Sequence, residues 1–139
     1  MTTAATPPIT TSKLLSRHEV AKDTMAFRFE RPSNLAFKAG QYLDMTLFDP
    51  PETDSEGNVR SFSIASGPYE ETLMVATRMR DTAFKRVLKT MPLGTAVKIE
   101  GPSGNLTLHN NVRKAAVFLA GGIGITPFRS RGCPVIRRK

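Results

Sequence analysis

Along most of the chain, apolar and polar side chains alternate one by one. Met25, Phe27 and Phe29 alternate with Ala26, Arg28 and Glu30; Leu43, Met45 and Leu47 alternate with Asp44, Thr46 and Phe48. A period of two places each set on one face of an extended strand, so both stretches predict half-buried strands. The same period predicts strands over 59–65, 73–80, 96–100 and 105–108. Between them, Pro32 to Gly40, the acidic run Asp49 to Asn58, Ser66 to Tyr69 and Gly101 to Gly104 carry the residues of turns and loops. The period changes once. Phe84, Val87, Leu88 and Met91 fall three or four apart behind Asp81 and Thr82, and Pro92 with Gly94 closes the segment, which predicts one helix. Six or seven short strands and one helix within 13–110 point to an all-β fold, a closed antiparallel barrel.

Three stretches break the pattern. Residues 1–12 are rich in Thr, Pro and Ala without a period, and read as a flexible lead-in. Ala115 to Ala120 is continuously apolar, as in a parallel strand buried on both faces. It runs into Gly121-Gly122-Ile123-Gly124-Ile125-Thr126-Pro127, where a helix is expected to start. Residues 111–130 thus read as the opening of an α/β unit, an isolated first strand with no second strand after it. Residues 131–139 show no period and read as a basic unstructured tail.

Composition narrows this picture. With 139 residues and 40% apolar side chains, the chain suits one globular domain. The longest run without a polar side chain, Ala115 to Ile125, falls well short of the roughly 20 residues that cross a bilayer. Met1 to Ser12 has neither a basic residue nor an apolar core, unlike a signal peptide. A single cysteine excludes an internal disulfide and a Cys-based zinc cluster. The expectation is a cytoplasmic protein without a membrane role. The net charge of +8 suggests nucleic acid until its position is considered. Five of the 20 basic residues lie in the last eleven positions, which leaves 15 basic against 12 acidic side chains elsewhere. A charge excess confined to a tail is no binding face, and no nucleic-acid partner is expected.

Candidate chemistry is concentrated in a few short motifs. In Arg60-Ser61-Phe62-Ser63, a strand arginine offers a planar fork of donors suited to phosphate oxygens, and Phe62 returns to the same face two residues on. The helix start at Arg80-Asp81-Thr82-Ala83 presents free N–H groups and a positive dipole end, a seat for an anion, although Thr82 also suits a plain N-cap. Arg78 and Arg80 can add charge from the preceding strand. Gly101-Pro102-Ser103-Gly104 reads mainly as a turn. Gly121 to Pro127 departs from the G-x-G-x-x-G fingerprint because Pro127 occupies the last glycine position. His18 and His109 are too isolated for a metal pair, and no metal site is expected. Glu52, Asp54, Glu56, Glu70 and Glu71 read as loop acids without a partner base.

In this order and spacing, the Arg60, Gly101 and Gly121 motifs resemble those of the ferredoxin–NADP reductase superfamily of flavoproteins, over roughly residues 13–130. The resemblance implies a six-stranded Greek-key barrel that holds FAD over 13–110, followed by a parallel α/β domain for NAD(P)H. It implies that Arg60 binds the flavin phosphate and that Phe62, where the family usually has Tyr, stacks on the isoalloxazine. It makes Ser63 the catalytic tuning group near flavin N5. Ser61, Arg78, Thr82 at the pyrophosphate and Thr126 complete the implied cofactor set. Gly121, Gly122 and Gly124 are then the remnant of a nicotinamide loop in an NAD(P)H site that is incomplete. The family's function is transfer of hydride from NAD(P)H to FAD and of electrons onward to an acceptor protein, iron–sulfur or similar. The resemblance stops at Ser130, so the expectation is a truncated module unable to turn over alone, with a tail that reads like translation in a shifted frame. Two rivals stay open: a flavin- or protein-binding barrel without catalysis, and a non-functional fragment.

Overall fold

The computed structural model describes residues 9–106, 113, 122–127 and 129–130. Six strands appear in chain order: β1 (Ile9–Ala21), β2 (Thr24–Glu30), β3 (Tyr42–Leu47), β4 (Val59–Ser63), β5 (Thr72–Arg78) and β6 (Ala96–Ser103). One α-helix, α1 (Ala83–Thr90), joins β5 to β6. All pairings are antiparallel, in the order β4-β3-β6-β1-β2-β5, with β6 returning to lie between β1 and β3. This is the Greek-key barrel that the alternation and the motifs predict. Its two edges share no ladder. β4 and β5 meet instead through one backbone bond, Ala65 N–H to the Met74 carbonyl at 2.8 Å, and through Ser66 Oγ, which accepts from the Met74 N–H at 3.0 Å.

The core follows the period of two. Leu43 and Met45 are fully enclosed, Leu47 nearly so, and Phe27, Phe29, Leu73, Val75, Val97 and Ile99 meet them from the other strands. Helix α1 adds Phe84, Val87 and Leu88 to the same cluster. Thr82 caps it, its Oγ accepting from the Lys85 N–H at 3.4 Å, and Met91 ends it in extended backbone ahead of Pro92.

Two boundaries differ from the sequence expectation. β1 begins at Ile9, inside the stretch read as lead-in, because Ile9 to Lys13 pair with β6 from Glu100 back to Ala96. Threonines that look like linker residues are β-branched and suit such a pairing. Gly101, Pro102 and Ser103 belong to β6 rather than to a turn. Gly101 stands at a register shift against β3 with φ of 136°, where a Cβ would lie 3.3 Å from Leu43 Cα. Residues 107 and 108 of the expected last strand, the apolar run 115–120 and the tail 131–139 lie outside the described residues.

Phe27 is completely enclosed, so Phe27→Ala should cost about 3–5 kcal/mol of stability. Urea unfolding followed by far-UV circular dichroism measures it as a fall in midpoint.

Candidate functional site

The cleft lies at the β4–β5 seam. β4 contributes Arg60, Ser61, Phe62 and Ser63, β5 contributes Ala76 and Thr77, and the chain leading into α1 brings Arg80, Thr82 and Lys85. Ile123, Thr126 and Pro127 close one side and Glu56 another, around a cavity of about 520 Å³. That volume lies within the range of small-molecule and cofactor sites.

Each predicted residue can be placed. Arg60 and Phe62 share a face of β4 and both reach α1, with the guanidinium 5.2 Å from the Phe84 ring centre and the Phe62 ring 5.9 Å from it. Phe62 is 7% exposed, so it lines the cleft while packed mainly into the core. Ser61, on the opposite face, donates from its hydroxyl to the Asp44 carboxylate on β3. Ser63 is half-buried at the cleft wall. Thr126 is buried, its Oγ1 donating to the Ile123 carbonyl at 2.7 Å. Gly122 and Gly124 lie in a 3-10 turn, Gly122–Ile125, and Gly121 is outside the described residues.

Arg78 is the exception. It ends β5 and lines a second, more apolar cavity of about 580 Å³ with Val20, Met74 and Ile125, which adjoins the first through Ala76, Ile123 and Thr126. Arg80 and Lys85 stand in the first cleft instead. The strand stops at Arg78, so the two-residue period that would pair Arg78 with Arg80 does not extend to Arg80.

Lys85 is the group the sequence reading missed, and its position as the third residue of α1 was the available signal. Burial lowers its pKa, and Arg80 and Arg60 repel its charge further. Three cations gather at the positive end of a helix with one carboxylate paired among them, Glu56 on Arg60, so the cluster keeps a net positive charge that favours an anion. Chemically, the donor set suits a phosphate or diphosphate: a guanidinium fork, an ammonium, hydroxyls and helix N–H groups.

The loop acids also have partners that their sequence neighbours do not reveal. Asp54 accepts from the Ala83 N–H at 2.8 Å, and Glu56 pairs with Arg60 at 3.2 Å. Glu52 binds Arg86 at 2.9 Å. The Ala83 N–H holds the Asp54 carboxyl below its ordinary range, and Arg86 does the same for Glu52. Glu70 meets Arg129 at 3.1 Å and Arg28 at 3.9 Å and accepts from the Gly67 N–H. Arg129 also donates to the Ala65 carbonyl at 2.7 Å and Ser130 to the Ser66 carbonyl at 2.7 Å, so these two residues are docked on the seam. Among the described residues no group of His, Cys, Asp and Glu could hold a metal ion. No helix among them is long and apolar enough to cross a membrane.

A Greek-key barrel that gathers cations, hydroxyls and a helix start along its open seam is built to hold an anionic cofactor of nucleotide size. The comparisons make this specific. The family model of the oxidoreductase FAD-binding domain matches residues 11–108, and the chain belongs to that family, whose cofactor is FAD. Component C of the Methylosinus trichosporium methane monooxygenase is 34% identical over 99 residues, 70% of this chain and 27% of that protein. Reductase component 1 of a Comamonas terephthalate 1,2-dioxygenase is 30% identical over 134 residues, 93% of this chain and 38% of that protein. The chain therefore spans about a third of the length of these relatives. The Amycolatopsis cytochrome P450 reductase structure superposes with a TM-score of 0.76 at 23% identity, covering 97% of this chain and 41% of that one. A Neisseria gonorrhoeae ferredoxin NADP+ reductase, solved with bound FAD and NADP, gives a TM-score of 0.65 at 23% identity, covering 94% and 53%. At such identity the likeness is one of fold.

Burial raises the Glu70 carboxyl, but the Gly67 N–H, Arg129 and Arg28 outweigh it and hold its pKa below 4.5. A carboxyl depressed on folding adds stability above its unfolded pKa and loses it as pH falls through the folded value. Glu70→Gln should therefore lower stability at neutral pH and flatten the decline below pH 4.5. Urea midpoints at a series of pH values check both effects.

Proposed function

We propose that this chain is the FAD-holding module of an NAD(P)H-dependent reductase that delivers electrons to an iron–sulfur or similar acceptor protein. The convergence of Arg60, Arg80 and Lys85 on one cleft at the start of α1 carries the reading. The names of the reductase components above support the acceptor. Because the relatives are about three times longer, NAD(P)H oxidation and acceptor recognition belong to the proposal.

Bound FAD supplies the chemistry of accepting a hydride and releasing electrons one at a time. The protein's part is position and charge. Arg60 and the Thr82 helix start hold the diphosphate, with Arg80 and Lys85 lowering the cost of gathering its negative charge. Phe62 and Phe84 form a rigid apolar floor beside Arg60. Ser63 directs a hydroxyl from the cleft wall toward the flavin ring, and Ser61 and Thr126 supply further polar contacts. Arg78 adds positive charge from the adjoining cavity, which shares Ala76, Ile123 and Thr126 with the cleft. A cytoplasmic, reducing compartment fits a chain with one cysteine.

Residues 13–110 then form the FAD-binding barrel, and 111–130 open a nicotinamide domain. The barrel's part is to hold the flavin, whereas nicotinamide is positioned at the ends of several parallel strands.

FAD should bind in preference to FMN, because a monophosphate uses only one of the two anchors. Flavin released from the purified protein and separated by chromatography checks this; FMN, or no flavin at high loading, contradicts it. Arg60→Ala should weaken FAD binding by about 1.5–3 kcal/mol, the scale of a hydrogen bond to a charged group, as read by titration calorimetry. Anaerobic mixing of the loaded 139-residue chain with NADH or NADPH should bleach the flavin no faster than free flavin. Rapid, saturable bleaching would show that these residues suffice for turnover.

A further inference from the structure

The loop between β3 and β4 carries four carboxylates, and three of them, Glu52, Asp54 and Glu56, are placed on a cation or a helix donor around the cleft. Asp54 accepts from the first N–H of α1, the Ala83 N–H, at 2.8 Å. Glu56 pairs with Arg60 at 3.2 Å, and the Glu56 and Gly57 carbonyls accept from the same guanidinium at 2.9 and 3.3 Å. Glu52 holds Arg86, one helical turn further on. The loop is tied to itself where this happens: the Glu56 N–H donates to Asp54 Oδ1 and the Gly57 N–H to the Asp54 carbonyl, both at 3.0 Å.

Two of these contacts fall on the groups assigned above to the diphosphate. A carboxylate on the helix start and a carboxylate on Arg60 reproduce, in two side chains, the two anionic positions of a diphosphate. Asp54 and Glu56 are two residues apart, on one turn of chain. Asp54 and Glu56 are both exposed, the Glu56 side chain 60% so, and their partners are only partly buried, so each contact is open to exchange. Among the described residues Lys85 forms no ion pair; it donates to the Arg78 carbonyl at 2.6 Å and feels the Glu56 charge only from a distance.

We infer that the acidic loop, residues 49–58, is a built-in competitor for the cofactor's diphosphate. Asp54 and Glu56 contend with FAD for the helix start and Arg60, and FAD binds by displacing both. The loop keeps the cation cluster from collecting stray phosphates and favours a ligand that replaces two anions together. This inference rests on the assignment of the cleft to FAD and adds an identity for what fills its anchors beforehand.

Two measurements on the full chain test it. The first is FAD affinity from quenching of flavin fluorescence. Asp54→Ala should bind FAD more tightly than the wild type, by about two- to five-fold, the scale of one charge at a helix terminus. Asp54→Asn, which keeps an acceptor for the Ala83 N–H but drops the charge, should shift the same way by less and guards against loss of the helix start. The second is amide hydrogen exchange with and without FAD. Adding FAD should speed exchange at Glu56 and Gly57 while barrel amides slow. If the wild type binds FAD but neither variant binds more tightly, or the loop amides become more protected, the competitor role is overturned while the flavin assignment stands. If wild type and variants alike bind no FAD, the flavin assignment falls and the competitor role with it.

Discussion

The cleft depends on a seam that the sheet leaves unzipped. β1 is long enough to pair with β6 through its first five residues and with β2 through the rest, so one strand carries the sheet around most of the barrel. What remains is the junction of β4 and β5, joined by one backbone bond and one serine side chain. Both edges keep backbone and side chains facing a common gap, and the helix start falls at its mouth. A fully laddered barrel would bury this gap under strand pairing. The fold thus produces a binding site by omitting hydrogen bonds, and Ser66 limits the cost by satisfying the Met74 N–H.

Electrostatics turns that gap into an anion site. Arg60, Arg80 and Lys85 are held at the positive end of α1 by strands and helix whose apolar faces are fixed in the core, so the cations cannot relax far apart. Phe84 ties the two requirements together: it is 1% exposed, packs in the core, and lies under the Arg60 guanidinium. Removing it would loosen the barrel and misplace the charge at once.

The parts of this arrangement differ in how far they could be read from sequence. Leu43, Met45 and Leu47, and the helix from Phe84 to Leu88, are legible because their periodicity is local. The Arg60 motif and Thr82 stand out as residue types, and the structure brings them to one cleft, along with Ser63 and Thr126. Arg78 lines the adjoining cavity, because the strand's period of two ends at Arg78 and does not carry on to Arg80. The start of β1 was hidden by threonines whose partner strand begins at Ala96. The partners of Asp54 and Glu52 lie 29 and 34 residues away, and no periodicity encodes a contact between a loop and a distant helix start.

Ser66 serves two neighbours at once. Its hydroxyl accepts from Met74 and closes the seam, while its carbonyl accepts from Ser130 and anchors the segment that follows the barrel. One turn away, Arg129 links that segment to Ala65 and Glu70. A load applied through the segment is therefore delivered to the weakest line of the barrel, not to its well-laddered wall. Segment and seam are tied at two points, Ser130 on the Ser66 carbonyl and Arg129 on Ala65 and Glu70, so local opening of the seam would release the anchors of the segment as well.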